Sequence, residues 1–170
     1  MKTNTTPKPE VLYHFTSPAG LSAILRAGYL ALSESKLNIS YGDSGVVWLT
    51  TSPDPMNHGL KFDDTIPAAL DKTSIRILVR YKTSSKQWDE WSDTKGMNKE
   101  YKEALIASAN AEETYKTWYI SEREIPINDF LKLENIAAGE TIDIEAAMMS
   151  LRDIGTPKVR FQCESNVSVK

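Results

Sequence analysis

With 170 residues, 41% of them apolar, the chain is long enough to enclose a core and short enough to form one domain. A net charge of −3 and a pI near 5.5 exclude broad, nonspecific attraction to nucleic acid, while leaving room for a local basic face that binds a phosphate or a strand. The lone Cys163 allows no internal disulfide, two histidines and one thiol make no obvious zinc set, and no apolar run has the length of a membrane span or the form of a signal peptide. The expectation is a cytoplasmic protein in a reducing setting, with no membrane partner.

Residues 1–10 are polar and proline-containing and read as a flexible N-terminal arm ahead of one domain over 11–170. Residues 11–16 form an apolar strand, followed by Ser17 as a helix N-cap and Pro18 at the first helical position. Leu21, Ile24 and Leu25 fall at helical spacing, Gly28 suits the helix end, and 29–33 reads as a second short strand. The polar stretch 33–45 carries Gly42 and Gly45 and reads as a mobile loop, a candidate lid. Residues 46–50 return to a buried strand, which Pro53 and Pro55 end.

Residues 74–81 alternate around Ile75, Ile77 and Val79 as a strand should. The stretch 82–96 is polar, and its Trp88 and Trp91 either mark a partner surface or anchor a long loop. A charged, alanine-rich segment over 98–111 predicts a helix. Strands are expected over 117–124 and 130–136, then a helix over 144–152 and a last strand over 158–162. The chain has no internal repeat and no low-complexity tract.

Within the first strand, alternation puts His14 and Thr16 on one face and Tyr13 and Phe15 on the other. An imidazole beside a hydroxyl can grip a ribose or an amide, although a lone histidine among aromatic residues can equally fill space in a core. Glu122 and Glu124 lie two residues apart in a strand-like run and would face the same side, either toward solvent or toward a cation, a developing positive charge or a row of hydroxyls. Trp118 and Tyr119 just before them form an aromatic wall or simple core. Thr50, Thr51 and Ser52 supply three hydroxyls at a strand end, where they can serve a ligand or cap the turn that the prolines make. Arg76 and Arg80, with Lys72, Lys82 and Lys86, are a phosphate-binding strip or a solvated edge, and His58 reads as a loop residue. No glycine-rich phosphate loop, nucleophile elbow or paired-histidine zinc motif is present.

In their order along the chain, Tyr13-His14-Phe15-Thr16 with Leu21, Ile24, Leu25, Gly28 and Leu30, then Val47-Trp48-Leu49-Thr50-Thr51-Ser52, then Glu122-x-Glu124-Ile125, resemble the ADP-ribosyltransferase superfamily. Within it the opening is most similar to the histidine-containing branch that includes the DNA-modifying ADP-ribosyltransferase toxins and the RNA 2'-phosphotransferases. The similarity spans about residues 11–136. It implies an α+β fold, an ADP-ribosyltransferase-like split β-sandwich with flanking helices, and NAD as a substrate.

By the same resemblance, His14 holds the adenosine-side ribose of NAD, Phe15 and Thr16 lie where nicotinamide docks, and Thr50, Thr51 and Ser52 support the nicotinamide ribose. Glu124 matches the catalytic glutamate and Glu122 the residue that orients the acceptor. The tyrosine that some members carry on the second motif strand is absent, with Tyr41 in the preceding loop the nearest, and no arginine matches the catalytic arginine of the DNA-modifying toxins. The expected activity is NAD-dependent ADP-ribosyl transfer to a macromolecular acceptor, nucleic acid or protein, as in a toxin or a phage-defence factor. The alternatives are RNA 2'-phosphate transfer, for which Arg76 and Arg80 are few, and a nucleotide- or protein-binding module without chemistry. For NAD chemistry, His14 and the acidic pair are expected to share one pocket wide enough to seat a dinucleotide.

Overall fold

Six residues with apolar side chains at alternate positions form β1 (Val11–Thr16), and its register partner is β4 (Ile75–Arg80), matched from Val11↔Arg80 to Thr16↔Ile75. A computed structural model describes residues 8–33, 45–60, 65–82 and 84–154, with the side chains of 152–154 excepted. After β1, the Ser17 hydroxyl accepts the Gly20 N–H at 3.1 Å and starts α1 (Pro18–Ala27), which ends at Gly28 with φ +86°. The expected strand over 29–33 contracts to β2 (Tyr29–Leu30), and beyond it only Ser33 pairs, with Val46. β3 (Val47–Thr50) and β4 follow the alternation read from the sequence.

The polar stretch over 82–96 holds two elements that its composition concealed, β5 (Ser85–Gln87) and α2 (Trp88–Thr94). Trp88 and Trp91 are 0% and 5% exposed, so they are core, neither a partner surface nor the anchors of a long loop. Asn98 caps α3 (Lys99–Ser108) by accepting the Tyr101 N–H, and the helix stops three residues before the expected 111. β6 (Trp118–Ser121) is shorter than the expected 117–124 for a local reason: the Ser121 hydroxyl accepts the Arg123 N–H and donates to the Arg123 carbonyl, bending the chain. β7 (Ile125–Pro126) then pairs with β2, and β8 (Phe130–Asn135), β9 (Glu140–Ile142) and α4 (Ile144–Ile154) complete the described chain. The expected strand over 158–162 and most of the candidate lid, residues 34–44, lie outside the described residues.

The class is α+β: one antiparallel sheet in the order β5-β6-β3-β1-β4-β8-β9 and a two-stranded β2-β7 pair. Alternation gives the large sheet two apolar faces. Leu12, Leu49, Ile77, Val79 and Leu133 face α1 and α4, whereas Trp48, Trp118 and Ile120 meet Trp88 and Trp91 of α2 and Leu105 of α3. Among the described residues, no helix is long and apolar enough to cross a membrane.

One seam in the sheet is weak. β1 and β3 are joined through the single register pair Tyr13↔Thr50, while β3 and β6 pair from Val47↔Ser121 to Thr50↔Trp118. Past Tyr13 the two strands separate, and the backbone groups freed there need other partners.

Candidate functional site

His14 supplies one of those partners. Its Nδ1–H donates to the Trp48 carbonyl across the opened seam at 2.9 Å, and because a carbonyl can only accept, the neutral ring carries its proton on Nδ1 and leaves Nε2 as an acceptor. Burial pushes the imidazole pKa below its ordinary value; the Trp48 carbonyl opposes that shift and the Lys72 charge reinforces it. At neutral pH His14 is therefore an uncharged acceptor suited to a hydroxyl.

A cavity of about 560 Å³ opens at this seam, within the range of small-molecule sites. Its walls are aromatic, formed by Tyr13, Phe15, Trp48, His58 and Trp118, and its polar groups include His14, Thr16 and Lys72. Thr16 is buried at the end of β1, and α1 can lie against it only because residue 20 is glycine: a Cβ there would sit 2.2 Å from the Thr16 hydroxyl.

The opposite wall is a strap over 53–60 that folds back onto the sheet. The Trp118 indole N–H donates to His58 Nδ1 at 2.8 Å, and the His58 ring stacks on Phe15 with centroids 6.0 Å apart. The Thr114 hydroxyl and the Asn110 amide both donate to Asn57, to its backbone and side-chain oxygens respectively, and Arg76 donates to the Pro53 carbonyl. Burial lowers the His58 pKa, against the pull of the Asp54 carbonyl and carboxylate, so this ring too is neutral at pH 7. The sequence marks Asn57-His58-Gly59 only as turn chemistry. Asn110, Thr114 and Trp118, which hold it by hydrogen bonds, are 53 to 60 residues away, beyond the reach of any local pattern.

The threonine cluster divides. Thr50 lines the cavity, but its hydroxyl accepts the Ser52 N–H and donates to Thr117, whose own proton goes to the Thr114 carbonyl. Thr51 and Ser52 do not line the cavity, and Ser52 accepts the Asp54 N–H at 3.3 Å in the turn-capping arrangement. Tyr41 lies outside the described residues.

The acidic pair separates as well. Because β6 ends at Ser121, Glu122 and Glu124 do not share a strand face. The Glu122 carboxylate is held by Lys86 of β5 and by Lys95 after α2, the latter at 2.9 Å. Lys86 first, then Lys95, with the Trp91 indole N–H beside them, bring its pKa down to about 2. Glu124 lines a second cleft of about 150 Å³ with Arg80, Lys82, Ser85 and Ser121. Among the described residues, the two cavities have no lining residue in common and Glu122 lines neither, so these residues do not join His14 to the acidic pair in one pocket. The bend at Ser121 and the pairing of Ile125 with Leu30 carry Glu124 toward β2 and away from β3. The basic strip is likewise dispersed: Arg76 pairs with Glu134, Lys82 with Asp129 and Lys86 with Glu122.

An uncharged imidazole acceptor, a cluster of aromatic rings and one ammonium group around 560 Å³ suit a ligand with a flat ring, hydroxyls and negative charge. No protein-family model, curated protein or solved structure matches the chain.

Proposed function

We propose that this chain is an NAD-dependent ADP-ribosyltransferase with a split β-sandwich fold, seating NAD in the His14 cavity and acting on a nucleic acid or protein acceptor. The observation that carries the reading is the opened seam, where a neutral histidine held through Nδ1 by the Trp48 carbonyl lines an aromatic-walled cavity. A second support is topological. The three segments that resemble the superfamily are far apart in sequence, yet they lie on or directly follow β1, β3 and β6, which are neighbours in the sheet.

Cleaving the bond between nicotinamide and ribose produces an oxocarbenium-like sugar, so a carboxylate beside the ribose stabilises the transition state more than the ground state. Glu124 is the candidate for that role. It reaches the ribose only if the bend after Ser121 swings toward β3 when substrate binds. RNA 2'-phosphate transfer has less support, because Arg76 is committed to Glu134 and Pro53 and no arginine is among the described residues that line the His14 cavity. A binding module without chemistry is the second reading, favoured by the separation of the Glu124 cleft from the His14 cavity.

Incubation with labelled NAD and a cell lysate tests these readings. Transfer predicts label on protein or nucleic acid together with free nicotinamide. The Glu124→Gln variant should retain NAD binding and release nicotinamide about 10²–10³-fold more slowly. Near-normal turnover would remove Glu124 from the chemistry, and NAD binding by the unmodified protein without nicotinamide release would favour the module.

A further inference from the structure

The two histidines of the chain line one cavity and hold opposite hydrogen-bonding roles. His14 donates from Nδ1 to a carbonyl, a contact that persists whether or not the ring gains a second proton. His58 is reversed. The Trp118 indole nitrogen can only donate, so at 2.8 Å His58 Nδ1 must keep its lone pair, and the neutral ring carries its proton on Nε2. A second proton would go onto Nδ1 and set two N–H groups against each other, so the charged ring cannot keep this contact. Of the two imidazoles, acid breaks the hold of His58 alone.

Asn57 and Gly59, at φ +59° and +69°, take left-handed backbone on either side of His58, and the ring between them lies against Phe15 and Trp118. The Asn57 side of the strap has its own fastenings in Asn110 and Thr114, which carry no charge. His58, Gly59 and Leu60 line the cavity, so the Trp118 hydrogen bond holds part of the cavity wall in place. The charged and titratable groups around the ring are Asp54 on the strap itself, whose carbonyl and carboxylate favour the cation, and Tyr13, His14 and Lys72 among the described residues that line the same cavity. Phe15 of β1, Trp118 of β6 and Leu105 and Ser108 of α3 add no charge. We propose that His58 is an acid-released latch on the His14 cavity: the neutral ring holds residues 58–60 as cavity wall, and protonation frees them and widens the opening. Burial outweighs Asp54 and keeps the ring's pKa below its ordinary value, so the latch is fully engaged above the ordinary imidazole range and is lost as the pH falls through the lowered one.

The full chain without any nucleotide tests the latch, so its failure and the failure of the NAD reading are separate outcomes. With two histidines in the chain, nitrogen-15 spectra of the imidazoles at about pH 7.5 should show Nε2–H for His58 and Nδ1–H for His14. On acidification the Trp118 indole resonance should shift with the same midpoint as the His58 ring. Amide exchange over 58–60, corrected for its intrinsic pH dependence, should rise at least about tenfold by about pH 5 while α1 stays protected. His58→Gln supplies a carbonyl oxygen that can accept the indole N–H and does not titrate, so its strap should stay protected at both pH values. Nδ1–H on neutral His58, an indole resonance that does not follow the His58 titration, an acid rise that persists in His58→Gln, or α1 exchanging together with the strap would each overturn the latch. Should His58→Gln lose the strap's protection already at neutral pH, the joint titration of His58 and Trp118 in the unmodified protein decides alone.

Discussion

The Nδ1–H of the His14 ring fixes it to the Trp48 carbonyl in either protonation state, whereas Nε2 can accept a hydrogen bond only while the imidazole stays neutral. His14→Ala removes the contact across the seam and the acceptor together. NAD affinity should fall about 10- to 100-fold, read by calorimetry, and stability should fall by about 1–2 kcal/mol, read by urea unfolding. Unchanged affinity would show that the ligand sits elsewhere. That His14 and Thr16 share a face was legible from alternation alone. The tautomer was not, because Trp48 lies 34 residues further on. Glu122 and Glu124 show the opposite case: spacing of two implies a shared face only while the strand continues, and the Ser121 hydroxyl ends it first.

At the scale of elements, α1 was the most legible part of the chain because all its signals are local: Ser17 caps it, Pro18 opens it and Gly28 closes it. Gly28 stands at φ +86° with nothing within 4 Å of an added Cβ, so Gly28→Ala carries only a conformational penalty. We expect a loss of about 1–2 kcal/mol, measured as a lower urea midpoint with an unchanged slope. The helix α2 was concealed for a complementary reason. Its seven residues are too few to be helical on propensity, and Trp88 and Trp91, one turn apart, hold it by entering a core made by Trp48, Trp118 and Ile120.

For the molecule as a whole, Glu122 joins three parts that are separate in sequence: the end of β6, Lys86 of β5 and Lys95 behind α2. Its folded pKa of about 2 lies below the ordinary 4.5, so its contribution is complete above about pH 4.5 and is lost as the pH falls toward 2. With the Glu122 side chain 28% exposed, that contribution is of order 1 kcal/mol or less. Urea midpoints of the unmodified protein and Glu122→Gln should differ at pH 6 and converge between pH 4.5 and 2. A gap that persists at pH 2 would assign the loss to packing rather than charge.

Residues within a few positions of one another carry caps, turns and periodicity, which is why the sequence by itself determined the strand that bears His14 and the helix behind it. Which side chains meet around one cavity depends on strand order and on where each strand stops. The tertiary structure therefore decided that His58 and Lys72 join His14, that Thr51 and Ser52 turn aside, and that Glu124 faces a different cleft. The physical reason is that a strand's alternation is repeated at every second residue, whereas the opened seam between β1 and β3 and the strap pinned by Asn110, Thr114 and Trp118 rest on contacts across tens of residues.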